Sequence, residues 1–310
     1  MDNSCGMTHI KGTTTGAYLQ IHIAVLLFGF TALFGRWLSI SEISIVWYRV
    51  ALTSISLFLF PVVRKEILRM PIKELLTIAA TGIVVSLHWV FFFSAVKLTN
   101  VSVTLSCLAT ASFFTAFLEP LFSKSKIKKH EVILSLFVIP GMYFIHRFSD
   151  FNIGGILIAL LSALLAAVFG ILNKKWVKNR SAHTITFIEL FSGSFFLLAA
   201  APLYLKFFPS QNLIASPQEM LYLCFLAFFC TTLAYVLSIK ALKHLSAFST
   251  SLAINLEPVY GIFLAIWLFD ENQEVDALFY VGTGLILLAV FLQPVLEKLR
   301  RRKNQFSGFS

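Results

Sequence analysis

Charge is scarce in this chain. Of its 310 residues, 13% are Asp, Glu, Lys or Arg, and the 15 acidic residues are outnumbered by 25 basic ones. A soluble domain carries about 25% charged and roughly 45–50% apolar residues. Here 58% of the residues are hydrophobic and the mean hydropathy is +0.83, so an ordinary soluble domain is excluded and a polytopic membrane protein is indicated. Cysteine is scarce too. Cys5 lies in the polar N-terminal stretch, while Cys107, Cys224 and Cys230 lie in apolar runs. None forms a CxxC and no Cys/His group has metal-ligand spacing, so neither a disulfide framework nor a metal or cofactor site is expected. GxSxG, HExxH and Walker-loop motifs are also missing, which weighs against an enzyme. The net charge of +10 could point to nucleic acid, but the basic residues punctuate the gaps between apolar runs, where a membrane surface explains them. No nucleic-acid partner is expected, and without an Ala-x-Ala site no cleaved signal peptide either.

What the chain has is long apolar runs. Ten candidate spans cover residues 17–38, 43–63, 74–96, 101–122, 132–147, 153–173, 183–205, 220–239, 247–269 and 277–296. The fifth is short and interrupted by Pro140-Gly141. A nine-span reading would drop it, but the basic residues decide against that. With ten spans and the N-terminus inside, twenty Lys and Arg residues fall in inner segments and four in outer loops, with Arg49 left inside a span. That asymmetry follows the positive-inside rule. Both termini are therefore expected on the cytoplasmic side of the plasma (cytoplasmic) membrane.

The two halves resemble each other. At a separation of 146 residues, Leu87 meets Leu233, Trp89 meets Tyr235, Val90 meets Val236, Ala95 meets Ala241, Lys97 meets Lys243 and Thr104 meets Thr250. Earlier in each half, Trp37 meets Trp176 at 139 residues and Ser54 meets Ser194 at 140, the offset at which Arg49 and Glu189, of opposite charge, occupy equivalent places. An odd number of spans per half puts the copies in opposite orientations. Inverted repeats mark secondary transporters, whose substrate site lies near the midplane at the repeat interface. The fold expected is an all-α integral membrane protein of ten transmembrane helices in two inverted five-helix repeats. Its units are a polar tail (1–16), a first repeat (17–147), a second repeat (153–296) and a basic tail (297–310).

With Ala95-Val96-Lys97, Ala241-Leu242-Lys243, Asn255-Leu256-Glu257-Pro258, and Asp270-Glu271 followed by Gly282, the chain resembles the drug/metabolite transporter superfamily, in particular its ten-helix EamA-type members. The first copy departs from the pattern: Ser112 stands opposite Pro258, and Ser125 opposite Glu271. The resemblance implies export or exchange of small metabolites. It also implies a central cavity lined by helices 1–4 and 6–9, with helices 5 and 10 outside it.

Candidate site residues are those that hydrocarbon tolerates poorly. A carboxylate inside the bilayer costs at least ~2.5–3.5 kcal/mol on insertion scales. Glu257, in the middle of its span, therefore reads as a solute-contacting group or as the carrier of a coupling proton, unless it is a structural carboxylate paired with a neighbouring helix. Asn255 joins it or serves as interhelical glue. Pro258 removes a helical hydrogen bond and marks a kink. Tyr260 either lines the cavity or packs. His88 and the paired aromatics Trp89 and Tyr235 could floor and roof a cavity, with Thr104 adding a neutral hydroxyl. Arg49 and Glu189 read as structural or gate groups that do not touch each other. Ser162, Ala166 and Gly170, four residues apart, read as a packing stripe, and Glu119 reads as structural. The partners expected are a small-molecule solute, the lipid bilayer and a coupling proton; the oligomeric state is left open. The competing readings are a polytopic membrane enzyme acting on a lipid or isoprenoid substrate, and a channel, for which no repeated filter is present.

Overall fold

Helices account for every regular element among the described residues. A computed structural model describes residues 14–99, 101–145, 152–209, 212–257, 259–260 and 277–307. Pro258, Asp270 and Glu271 lie outside these, so the expected kink residue and one family motif carry no structural statement. The helices run α1 (Thr14–Trp37), α2 (Glu42–Phe58), α3 (Pro61–Leu68), α4 (Ile72–Leu98), α5 (Val101–Leu108), α6 (Ala111–Ser123), α7 (Lys129–Ile145), α8 (Ile153–Trp176), α9 (Ala182–Phe207) and α10 (Pro217–Phe225). A π-helical segment (Leu226–Leu233) leads directly into α11 (Ala234–Leu242), followed by α12 (Ala247–Ile254) and α13 (Ala277–Ser307).

Six of these elements are long and apolar enough to cross a membrane, or seven if α2 and α3, bent by 88° at their junction, count as one broken span. The fourth expected span appears as two shorter helices, α5 and α6, and the fifth as α7; the ninth begins with α12, and its residues 258 and 261–269 lie outside the described residues. The last helix runs on through basic residues that sequence alone had assigned to a tail, reaching Ser307.

Burial is inverted relative to a soluble protein. Leu121, Leu203, Leu221 and Phe207 are 71%, 61%, 71% and 68% exposed, whereas Arg49 and Glu189 are 2% and 0% exposed. Water could not be the solvent around such a surface. Lipid accepts the leucines and phenylalanines, and the polar groups turn inward to find partners. The interior is built by α4 packing on α8 and α9, α2 on α9, and α1 on α11, while α7 and α13 pair with each other. Glycine sets the closest approach, where α4 crosses α9. A Cβ at Gly82 would overlap the backbone oxygen of Glu189, and one at Gly193 would overlap the Ser86 hydroxyl.

Candidate functional site

Two helix breaks define the middle of the molecule. Between α5 and α6, the Thr110 and Ser112 amides bond Cys107 and Ala109 at 3.1 and 3.3 Å, three and not four residues back. The Thr110 hydroxyl competes for the same carbonyl, reaching Cys107 O at 2.6 Å, and the Ser112 hydroxyl reaches Ala109 O at 3.0 Å. After α12 the same tightening recurs, with the Asn255 amide on Leu252 O (3.2 Å) and the Leu256 amide on Ala253 O (3.1 Å). The turn residues of the two breaks, Ala109-Thr110 and Asn255-Leu256, stand 146 residues apart, the same offset that relates the halves in sequence. Asn255 then donates to the Ser112 hydroxyl at 3.1 Å, tying one break to the other. The start of α12 is held by α6: the Glu119 carboxylate accepts from the Ala247 and Phe248 amides at 3.2 and 2.9 Å.

Against these breaks lies a cavity of about 120 Å³. Since about 10–15 Å³ holds one water, this is room for a small solute. Its polar wall includes Arg49, His88, Asn173, Tyr235, Asn255 and Glu257, and its apolar wall includes Phe28, Phe92 and Phe169. Arg49 donates through Nε to the Thr231 hydroxyl at 3.1 Å, and its guanidinium lies 4.9 Å above the Trp89 ring and 5.7 Å from that of Phe93. Glu257 interacts electrostatically with Arg49, and among the described residues its carboxylate accepts no hydrogen bond. A fixed cation and an unoccupied carboxylate thus face the same space.

Arg49 and Glu189 do not touch; two rings stand between them. Trp89 and Tyr235 meet edge to face at 5.8 Å, and the Tyr235 hydroxyl donates to Glu189 Oε2 at 2.9 Å. Each half thus sends a charged residue onto its own aromatic, and the two aromatics meet. They form one wall and not the floor and roof that their pairing in sequence had suggested. Glu189 itself stands behind that wall, with Asn173 Nδ2 at 3.4 Å from Oε2.

Other expectations change. Thr104 is fully buried and bonds Thr99 at 3.2 Å; it does not line the cavity. Tyr260 lies 3.3 Å from His22 Nδ1, also off the cavity wall. His88 lines the cavity, but its Nδ1 is engaged by both the carbonyl and the hydroxyl of Ser162 at 2.9 Å. The small-residue stripe of α8 is more than packing: Ala166 and Gly170 open onto the cavity, and a Cβ at Gly170 would meet nothing within 4 Å. Asn173 and Phe169 were missed. The signal available for Asn173 was a polar residue just inside the end of an apolar run.

A profile of the EamA-like transporter family matches residues 15–147 and again residues 153–293. The chain belongs to the EamA-like transporter family. The match accords with the drug/metabolite transporter superfamily. Among curated relatives, an uncharacterized transporter of Bacillus subtilis, YyaM, is 23% identical over 206 residues, which is 64% of this chain and 66% of that protein. An uncharacterized transporter of Archaeoglobus fulgidus is 22% identical over 207 residues, covering 66% of this chain and 69% of the relative. The chain thus spans about two thirds of the curated relatives it matches. A solved crystal structure of a protein superposes with a TM-score of 0.75 at 15% identity, covering 91% of this chain and 97% of that one, and at such identity it speaks for the fold alone. This family protein is an integral membrane transporter with its cavity among the packed helices of both matched segments.

Proposed function

We propose that the protein is a secondary transporter that exports or exchanges a small organic solute by alternating access around the central cavity. It acts in the cytoplasmic membrane with both termini inside, as two inverted repeats that rock about the cavity. The observation that carries this reading is the cavity itself: a buried guanidinium and a carboxylate that among the described residues accepts no hydrogen bond line it together beside two helix breaks, an arrangement that discontinuous helices provide in transporters. Arg49 and Glu257 hold the polar groups of the solute, and Trp89, Phe92 and Phe169 hold its flat or apolar part. Nothing in the family match or the named relatives favours the membrane-enzyme alternative.

The test is uptake into proteoliposomes of a defined panel of amino acids, nucleosides, sugars and organic acids, read by mass spectrometry with and without an imposed pH gradient. Accumulation of one compound class is expected. Because a hydrogen bond to a charged group contributes about 1.5–3 kcal/mol, Glu257→Gln is expected to raise the half-saturating concentration of that solute roughly 10- to 100-fold. An unchanged value removes Glu257 from the solute site.

A further inference from the structure

One buried carboxylate is not used by the cavity. Glu189 is 0% exposed on α9 and touches the cavity wall only through Tyr235 and Asn173, both of which line it. Its hydrogen bonding does not close. The Tyr235 hydroxyl donates its single proton to Glu189 Oε2 (2.9 Å) and accepts from Asn173 Nδ2 (3.0 Å). Two buried acceptors remain without a donor, Glu189 Oε1 and Asn173 Oδ1. Each such orphan costs about 1–3 kcal/mol, more where charged. One proton on the carboxyl removes the buried charge, so that the oxygen left without a donor is that of a neutral acid.

Among the described residues no cation offsets that charge instead. Of the charged and titratable groups on the elements packed against α9, Arg49 on α2 engages Thr231 and the Trp89 ring, and His88 on α4 engages Ser162. Glu66 on α3 accepts from the Ser181 amide at 3.2 Å, and Glu74 on α4 pairs with Arg180 at 2.5 Å. At the other ends, Lys97 of α4 pairs with Glu42 and Lys174 of α8 bonds the carbonyls that close α11. His183, on α9 itself, stacks on Phe60 at 5.4 Å. Tyr235 on α11 is the titratable side chain that reaches Glu189. Glu257 differs: its carboxylate opens on the cavity that Arg49 also lines.

We propose that Glu189 is the proton-binding site of the transport cycle, loaded from the cavity through the Tyr235 hydroxyl. Tyr235 passes its phenolic proton to Glu189 Oε2 and its oxygen takes another from a hydronium ion in the cavity, which is left as water, so one proton enters and the hydroxyl is restored. Asn173 holds the hydroxyl in line. On that side α4 passes so close at Gly82 that a Cβ there would overlap the Glu189 backbone oxygen, and Glu189 is 0% exposed. Solute seated on Arg49 and Trp89 leans on the same ring pair that carries the relay, which links its occupancy to the proton. The inference rests on the transporter reading above.

Infrared spectroscopy of the full chain in lipid vesicles tests the site without any solute. A carboxylic-acid C=O band that titrates with pH is expected in the wild type, absent from Glu189→Gln, retained in Glu257→Gln and shifted in Tyr235→Phe. A band that persists in Glu189→Gln overturns the proposal. Should that variant fail to give monodisperse protein, Glu189→Asp takes its place: a moved band supports the proposal and an unmoved one overturns it. In proteoliposomes with the metabolite panel, Glu189→Gln is expected to lower pH-gradient-driven accumulation by roughly 5- to 150-fold, the usual range of a coupling free energy, with exchange of labelled solute reduced far less. Gradient-driven accumulation kept by the variant, or accumulation driven by sodium instead, overturns the role of Glu189 and leaves the transporter reading standing. A panel of which no member moves in the wild type overturns the transporter reading and the coupling role with it, while the infrared band still reports whether Glu189 holds a proton.

Discussion

Arg49 shows how a single residue is retained inside an apolar bundle. Its burial is offset by one neutral hydrogen bond, the faces of two aromatic rings and the field of Glu257. Guanidinium suits that setting because it is planar, stacks on rings and is more weakly hydrated than ammonium. Removing one partner of a buried charged pair costs about 3–5 kcal/mol, since the other is left uncompensated. Arg49→Ala is therefore expected to lower the thermal unfolding midpoint of the purified protein markedly. Arg49→Lys should fall between the two, keeping the charge and losing the stack. An Arg49→Ala protein as stable as the wild type would show that Glu257 needs no cation. At this scale the sequence was legible where a residue is costly in hydrocarbon: Arg49, Glu189 and Glu257 stand out from apolar runs. Asn173 did not, because small polar residues are ordinary in helix packing; for the same reason Ser162 read as packing only, although it holds His88. Thr104 misled for the same reason, and bonds Thr99.

Among the elements, hydropathy located helices but not their breaks. A run of apolar residues looks the same whether straight, bent by 88° as between α2 and α3, or loosened into the π-helical turn before α11. The break between α5 and α6 has neither glycine nor proline at its turn; hydroxyl competition for carbonyls makes it. Its trace in sequence was indirect, as the 146-residue partner of Asn255-Leu256. Glycines separate packing from cavity more directly. At Gly82 an added methyl group has nowhere to go, whereas at Gly170 it enters open space. Overpacking costs about 1–3 kcal/mol, so Gly82→Ala is expected to destabilise the protein by about that much. Gly170→Ala should unfold like the wild type and change solute uptake by narrowing the cavity. Equal stability of the two variants would refute the assignment of α4 to the tight crossing and of α8 to the cavity wall.

At the scale of the whole molecule, polar contacts join the two family-matched segments at both ends of the bundle. At one end the Glu74 carboxylate holds Arg180 through two bonds of 2.9 and 2.5 Å, and Glu66 holds the Ser181 amide. At the other, Glu42 accepts from Tyr204 at 2.7 Å and from Lys97 at 2.9 Å, and Glu219 accepts from Ser39 at 2.8 Å. Glu74 and Lys97 lie at opposite ends of α4, roughly 35 Å apart at 1.5 Å per residue, about the thickness of a bilayer core. The alternating access proposed above requires that one set open while the other holds. The Glu74–Arg180 pair is partly exposed (20% and 21%), so it contributes on the order of 1 kcal/mol, enough to shift a two-state population about fivefold. A thiol placed in the cavity by Ser251→Cys, with the native cysteines replaced by alanine, reports that population through an impermeant maleimide. Adding Arg180→Ala should speed labelling about fivefold from the inner face and slow it from the outer face. Tyr204→Phe should do the opposite. Labelling that rises from both faces together in either variant would mean that these contacts merely hold the bundle shut, and rocking between two closed ends would have to be abandoned.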